Sequence, residues 1–144
     1  MGLKLRPDET IFLDTAPFIY FFEDNNAYAE RVDALFVAGM ESGCRFVTSL
    51  ITYIEILTLP ERQGNHRLVA KYRDYFTNSE SLSIHPLDLN VADGTVRIRA
   101  RYGLKTPDAI QVATALACGA DHVVTNDKQW RCVPDLPVVL LDEL

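Results

Sequence analysis

The amino-acid sequence predicts an α/β fold in which a central parallel sheet carries helices on both faces. Short apolar runs alternate along the chain with longer amphipathic segments, and this order of strands and helices is typical of parallel sheets. The length of 144 residues fits one domain, and a hydrophobic content of 48% is enough for a core. No repeat, low-complexity tract or linker divides the chain. We therefore expect a single domain over residues 1–144.

Charge and cysteine content narrow the class of protein. The formal net charge of −6 argues against indiscriminate binding to nucleic acid, because phosphate affinity normally comes from an excess of lysine and arginine. The three cysteines lie far apart with no C-x-x-C pair, which indicates neither a disulfide framework nor a zinc site. No stretch approaches the ~20 apolar residues of a membrane span. We expect a soluble cytoplasmic protein.

The first strand and helix are predicted around Asp14. An apolar run from Thr10 ends in this carboxylate, and Pro17 allows a helix to begin at Ala16 or Pro17. Asp14 therefore lies at a strand-to-helix junction. Either Asp14 or Thr15 could simply cap that helix, so the position of Asp14 relative to other acids must decide its role.

A strand and two helices follow, and the second helix carries a candidate site residue. The pattern predicts a helix over residues 25–42, a strand over residues 45–48, and a helix that begins after Ser49 and ends at Pro60. The last of these is apolar on nearly every side, so we expect it to be buried. A buried, ionised carboxylate is costly unless it is paired or bound to metal, which draws attention to Glu55. The alternative is a salt bridge from Glu55 to an arginine such as Arg62 or Arg67.

The middle of the chain ends in a basic segment. Helices are predicted over residues 66–76 and 88–102, with a strand over residues 81–85 between them. The basic residues at the end of the second helix are Arg97, Arg99, Arg101 and Lys105. A run of charges is usually a solvated helix face. Because this run leads directly into Asp108, contact with the phosphates of a nucleic acid is the alternative.

The last helix begins beside Asp108. Thr106 is predicted as its N-cap, Pro107 as its first helical residue, and Gly119 as the left-handed residue that ends it. Asp108 then lies in the first turn. Strands over residues 122–125 and 137–141 complete the predicted sheet. Asp127 follows the first of these strands, so it lies beyond the strand's carboxyl end.

Four of the 20 acidic residues, Asp14, Glu55, Asp108 and Asp127, lie where an apolar segment meets a polar one. A parallel sheet can gather such positions at one edge, where open α/β folds bind their ligands. Several carboxylates together suit Mg²⁺ or Mn²⁺ and suit zinc poorly. The sequence contains no G-x-S-x-G elbow, Walker A loop or G-x-G-x-x-G turn. These observations favour metal-dependent chemistry, in which one or two cations activate a water and stabilise the entering and leaving oxygens of a phosphoryl transfer.

At these residues the sequence resembles a known family, the PIN-domain nucleases, and especially the VapC-type toxins of bacterial toxin–antitoxin pairs. The matching stretches are Ile11–Thr15, Thr48–Glu55, Leu104–Ala109 with Ala113–Ala115, and Val124–Asp127. They extend over nearly the whole chain. Each stretch alone is a weak signal, but the four in this order and at this spacing are quite specific.

The resemblance implies a Mg²⁺- or Mn²⁺-dependent ribonuclease that hydrolyses RNA to leave a 5′-phosphate and a 3′-hydroxyl. It implies that Asp14 and Asp108 are the principal metal ligands and that Glu55 and Asp127 complete the cluster. Polar groups of Thr15, Thr125 and Asn126 are expected to support the site. The resemblance further implies a homodimer that is held inactive by a small antitoxin protein. The acidity of the chain favours a structured or specific RNA over RNA in general.

Two other functions fit the same residues. In the first, the acids form structural pairs and the domain is a catalytically silent binding module. In the second, Asp14 accepts a phosphoryl group, as in receiver domains or haloacid-dehalogenase-like phosphatases. The sequence Asp14-Thr15-Ala16 lacks the second aspartate that the phosphatases need, and no lysine lies clearly at a late strand end, so this function ranks behind the others.

Overall fold

A parallel β-sheet forms the centre of the fold. The computed structural model describes residues 2–24 and 27–144. The strands of this part of the chain are β1 (Thr10–Leu13), β2 (Arg45–Ser49), β3 (Leu82–His85), β4 (His122–Thr125) and β5 (Val138–Leu140). They form one sheet in the order β3-β2-β1-β4-β5, and every pairing between neighbours is parallel. The predicted parallel sheet is confirmed.

Helices connect the strands and cover the sheet. They are α1 (Thr15–Phe22), α2 (Ala29–Ser42), α3 (Leu50–Arg62), α4 (His66–Asn78), α5 (Leu89–Tyr102) and α6 (Thr106–Ala117), and short 3₁₀ helices span Lys128–Cys132 and Leu141–Glu143. In residues 2–24 and 27–144 no helix is long and apolar enough to cross a membrane.

Strand β1 determines where a site can form. It pairs with β2 on one side, where Phe12 aligns with Val47, and with β4 on the other, where Phe12 aligns with Val123. The chain proceeds from β1 outward to β3 in one direction and later returns to build β4 and β5 in the other. The carboxyl ends of β1 and β4 therefore border the crevice at which the strand order reverses, and open α/β sheets bind ligands at such a crevice.

The sheet separates two hydrophobic cores, because successive side chains of β1 point to opposite faces. Ile11 and Leu13 belong to one core and Phe12 to the other. Helices α1 to α4 supply the first core with buried residues that include Phe18, Leu35, Ile56 and Phe76. Helices α5 and α6 supply the second, which also contains the fully buried Trp130. Helices cover both faces, as the sequence predicts.

Several predicted helix boundaries differ from the observed ones, among them boundaries of α1, α6 and α3. Helix α1 begins at Thr15, because the carboxylate of Asp14 accepts the hydrogen bond of the Thr15 N–H. Helix α6 begins at Thr106, since the carbonyl of Lys105 already accepts the first helical hydrogen bond. Helix α3 continues through Pro60 to Arg62, so Pro60 lies inside the last turns and does not end the helix. The predicted helix start at residue 25 lies outside the described residues.

Candidate functional site

Asp14 lies at the carboxyl end of β1 and is held there through both carboxylate oxygens. Oδ1 accepts hydrogen bonds from the Thr15 N–H at 2.7 Å and from Nε2 of Gln111 at 3.0 Å. Oδ2 accepts a hydrogen bond from the Thr125 hydroxyl at 2.7 Å. The Asp14 N–H donates to the Val124 carbonyl at 3.0 Å, which ties it to β4. The side chain caps α1, as the simplest interpretation of the sequence had it, but it also faces the other acids.

The environment of Asp14 opposes its negative charge. The pKa of this carboxyl is raised from 3.8 to about 6, chiefly by burial and to a smaller extent by the charges of Glu55 and Asp108. The hydrogen bonds from Thr125 and Thr15 act in the opposite direction, because they stabilise the ionised form. Near neutral pH the carboxylate is ionised at a cost, which a bound cation would remove.

Asp108 lies in the first turn of α6 and is partly buried. Burial raises its pKa, and the charge of Asp127 adds to this effect, while the Trp130 indole and Lys105 lower it. The indole Nε1 of Trp130 has no partner at hydrogen-bonding geometry in the described part of the chain, so its effect on Asp108 is that of a nearby dipole. Asp108 thus lies within electrostatic range of both Asp14 and Asp127.

Glu55 reaches the site from an exposed position. The expectation of a buried α3 is wrong, because only the stripe Thr52, Ile56 and Pro60 is buried, while Ile54 is 56% exposed. These buried residues recur every four positions, so one helix face packs and the others meet solvent. Glu55 is itself exposed, yet its charge contributes to the raised pKa of Asp14.

The alternative interpretation of Glu55 as a structural ion-pair partner is not supported. Within the described residues, Glu55 forms no salt bridge with Arg62 or Arg67, and the ion pairs found lie elsewhere. The charge of Glu55 is therefore available to a ligand at the sheet edge.

Thr125 connects Asp127 to Asp14. The Thr125 hydroxyl, which is fully buried, donates to Asp14 and accepts the Asp127 N–H at 3.0 Å. The Asp127 carboxylate caps the 3₁₀ helix by accepting the Gln129 N–H at 2.9 Å. Asn126 is exposed, and its amide lies 3.5 Å from the Tyr20 hydroxyl rather than on an acid. Of the residues predicted to support the site, Thr15 and Thr125 contact Asp14 and Asn126 does not.

A divalent cation fits the chemistry of these side chains. The candidate ligands are all carboxylates, which are hard oxygen donors of the kind that Mg²⁺ and Mn²⁺ prefer. Over residues 2–24 and 27–144, however, no three acidic, histidine or cysteine side chains are close enough together to hold one ion. The acids are near enough to repel one another but do not form a closed cage. Since Glu55 is exposed, its side chain can turn towards an ion without a loss of packing.

A buried polar group beneath Asp14 is missing from the sequence analysis. Gln111 and Thr52 are 2% and 0% exposed, and both are hydrogen-bonded within a cluster that includes Thr15 and Ser49. The sequence contains a signal for it, because Gln111 lies one helical turn after Asp108 among the apolar residues of α6. Ser49, predicted only as a helix cap, does cap α3 and also belongs to this cluster.

The basic residues do not form one surface. Arg97 and Arg101 line a cleft of about 320 Å³ between α5 and α6. Arg99 lies elsewhere on α5, beside Val96 and Thr106. Lys105 is near enough to Asp108 to lower its pKa. The basic residues therefore lie on different surfaces, because side chains two residues apart on a helix point to different faces.

Comparison with known proteins identifies the fold family. The family model described as "PIN domain" matches residues 11–136. A search of curated proteins found no match.

Solved structures with the same fold come from several bacteria. VapBC from Salmonella typhimurium, in a DNA-bound crystal structure, has a TM-score of 0.74 at 20% identity and covers 92% of this chain and 98% of its own. VapBC2 from Rickettsia felis, bound to a promoter DNA fragment, has a TM-score of 0.71 at 15% identity, with coverages of 91% and 98%. VapC20 from Mycobacterium tuberculosis, described as a sarcin–ricin loop cleaving toxin, has a TM-score of 0.69 at 16% identity, with coverages of 86% and 95%. At these identities the likeness is one of fold.

Proposed function

The chain belongs to the PIN domain family, and from this premise we propose that it is a Mg²⁺- or Mn²⁺-dependent endoribonuclease of the VapC type. One observation carries the proposal. At the crevice where the strand order reverses, the Asp14 carboxyl has a raised pKa, chiefly because it is buried and further because Glu55 and Asp108 lie near it. A buried carboxylate beside two other acids destabilises the metal-free fold, and such an arrangement is typical of a site that holds a cation.

The four acids have different roles in the proposed site. Asp14 is the fixed ligand, because hydrogen bonds hold both of its oxygens. Asp108 is the second principal ligand, and Glu55 and Asp127 complete the negative cluster. A divalent ion bound there supplies the activation of water and the stabilisation of charge on phosphoryl oxygens that phosphodiester hydrolysis requires. Thr125 fixes the position of Asp14 relative to Asp127 through its two hydrogen bonds.

RNA is the proposed substrate. The fold is shared with VapC20, a toxin described as cleaving the sarcin–ricin loop. Lys105 lies beside Asp108, where it can contact a phosphate next to the scissile bond. Arg97 and Arg101 in their cleft and Arg99 on its separate surface are proposed contacts for more distant phosphates. Because the chain carries a net charge of −6, we expect selective rather than general RNA binding.

A small antitoxin is the proposed regulator, since the fold is shared with VapC-type chains from VapBC complexes. A groove of about 240 Å³ runs beside Glu55, and Ile19, Phe22 and Leu59 contribute to its lining. A largely apolar groove whose lining also includes the carboxylates of Glu23 and Glu55 suits a protein segment with apolar anchors and a basic residue. We also propose that the protein acts as a homodimer in the cytoplasm.

The decisive test is cleavage of a mixed cellular RNA pool by the purified protein. The reactions contain Mn²⁺ or EDTA, with wild type, Asp108→Asn, or the exposed-surface control Asp33→Asn on α2. We expect cuts that require both the metal and Asp108 and that Asp33→Asn leaves unchanged. Cleavage that persists in EDTA or in Asp108→Asn would overturn the proposal.

Two further results would favour the competing functions. If wild type neither cleaves RNA nor gains thermal stability from millimolar Mn²⁺, the domain is a silent binding module. If incubation with acetyl phosphate leaves a stable acyl phosphate on Asp14, the protein is a phosphotransfer domain and not a nuclease.

A further inference from the structure

Gln111 is a buried polar residue in a helix whose neighbouring positions are apolar. It lies in α6, is 2% exposed, and is flanked by Ile110 and Val112. An amide buried at this depth is costly unless its donors and acceptor are satisfied. The partners of Gln111 therefore explain why the position is polar.

All of these partners come from other parts of the chain. The amide nitrogen Nε2 donates to Oδ1 of Asp14 at 3.0 Å and to Oγ1 of Thr52 at 3.0 Å, and it lies 3.3 Å from Oγ1 of Thr15. The amide oxygen accepts a hydrogen bond from the Ser49 hydroxyl. Gln111 thus connects α6 to the start of α1 and the start of α3, directly beneath the candidate site.

Chemistry leaves one orientation of the amide. An ionised carboxylate only accepts hydrogen bonds, so the NH₂ group must face Asp14 and the oxygen must face Ser49. The oxygen of Ser49 accepts the Thr52 N–H at 3.3 Å when it caps α3. The hydroxyl proton of Ser49 is therefore directed away from the helix and can be donated to the Gln111 amide oxygen. The helix cap therefore also fixes which end of the Gln111 side chain meets the site.

The hydrogen bonds limit how Asp14 can bind anything else. A carboxylate offers about four lone-pair positions. On Asp14, the Thr15 N–H and Gln111 occupy both positions of Oδ1, and the Thr125 hydroxyl occupies one position of Oδ2. One lone pair of Oδ2 is left.

We propose that Gln111 is a positioning residue for metal binding: it holds Oδ1 of Asp14, so that the carboxylate presents the single free lone pair of Oδ2 to the cation. This inference rests on the proposed metal-dependent nuclease. Residues that orient a metal ligand typically change metal affinity or activity by about 10- to 100-fold when they are removed. A residue that only joined three helices would change stability and leave metal affinity alone.

The variant Gln111→Met tests the proposal, because methionine has a similar shape and no hydrogen bonds to give. Its matched control is Thr48→Val, which removes a buried hydrogen bond of 2.7 Å to the Leu13 carbonyl, one residue before Asp14, without touching the carboxylate. The first readout is the Mn²⁺ concentration that gives half of the maximal rise in Tm. The second is the Mn²⁺ concentration that gives half of the maximal RNA cleavage.

We expect both variants to have a lower Tm without metal. Gln111→Met should need about 10- to 100-fold more Mn²⁺ than wild type in both readouts, and Thr48→Val should need the same amount as wild type. If Gln111→Met does not fold, Ser49→Ala takes its place, because it removes the hydrogen bond that anchors the Gln111 amide oxygen and so loosens the hold of the amide on Asp14. The expected direction is the same.

The possible failures are distinct. If wild type responds to Mn²⁺ and the Gln111→Met and Ser49→Ala responses match that of wild type, Gln111 is only structural and the nuclease proposal stands. An equal weakening in Thr48→Val would also overturn the inference, because any loss of local stability would then suffice. If wild type itself shows no Mn²⁺ response, the proposed function fails, and the role of Gln111 fails with it.

Discussion

Replacing Asp14 by asparagine should stabilise the metal-free protein near neutral pH. Asparagine removes the charge but keeps an oxygen that can accept from the Thr15 N–H and from Gln111. Its NH₂ group then faces the Thr125 hydroxyl, whose oxygen can accept a hydrogen bond. The substitution therefore isolates the cost of the charge from the geometry of the network.

The size of this effect follows from the pKa of Asp14. The folded environment, chiefly through burial, raises the pKa from 3.8 to about 6, and at 1.36 kcal/mol per pKa unit this shift corresponds to about 3 kcal/mol. Because the folded state holds its proton more tightly than the unfolded state, stability is lost as the pH rises from 3.8 to about 6. Above that range the wild type is destabilised by the full free energy of ionising the buried carboxyl, whereas Asp14→Asn has no such charge.

Urea unfolding in EDTA at several pH values from 4 to 7.5 measures the difference in free energy of unfolding between variant and wild type. It should be near zero at pH 4 and rise to about 3 kcal/mol at pH 7.5, or about 10 °C in Tm. A difference that does not change with pH, or a less stable variant at pH 7.5, would refute the reasoning. Mn²⁺ should then raise the Tm of wild type and leave that of Asp14→Asn nearly unchanged.

Three further predictions address the second ligand, the packing of α2 and the basic cleft. Asp108→Asn should abolish RNA cleavage while its Tm stays equal or rises, because burial and Asp127 already raise the pKa of this carboxyl. Gly39→Ala should lower stability by about 1–3 kcal/mol in urea unfolding, since the new Cβ would lie 2.4 Å from Cζ of Phe46. Replacing Arg97 and Arg101 together by alanine should weaken RNA binding and flatten its dependence on salt in a titration series.

Each of these three predictions has its own control. The control for Asp108→Asn is Asp33→Asn on the exposed surface of α2. If this control variant is also inactive, loss of activity in Asp108→Asn does not show a role for Asp108 in the site. For Gly39 it is Gly94→Ala, whose Cβ would lie no closer than 3.3 Å to another atom, and equal losses would contradict the packing argument. For the arginine pair it is Arg67→Ala on the exposed surface of α4, and an unchanged salt slope in the double variant would leave the cleft a solvated face.

The sequence alone determined the order and type of the elements, because the signals involved are local. Ser49 accepts the Thr52 N–H as a helix cap, and Gly119 has the left-handed backbone that ends a helix. The predicted strand over residues 122–125 is the observed one. Asp14 and Asp127 follow strands in the structure as they do in the pattern, so the sheet edge they share was predictable.

Tertiary structure decided which side chains meet, because strand order and helix facing depend on contacts between distant parts of the chain. Glu55 is exposed although its helix is rich in apolar residues, since α3 packs through one face. The basic segment divides between surfaces because Arg99 points away from the side of α5 that carries Arg97.

The hydrogen bonds to Asp14 are the clearest case of contacts that only the tertiary structure decided. Gln111 lies 97 residues from Asp14 along the chain and 62 from Ser49, and no local pattern links them. They meet because β1 pairs beside β2, whose last residue is Ser49, and α6 packs against β2. The sequence contains the acids. The pairing of β1 with β4 placed the Thr125 hydroxyl on one oxygen of Asp14, and the packing of α6 against β2 placed the Gln111 amide on the other.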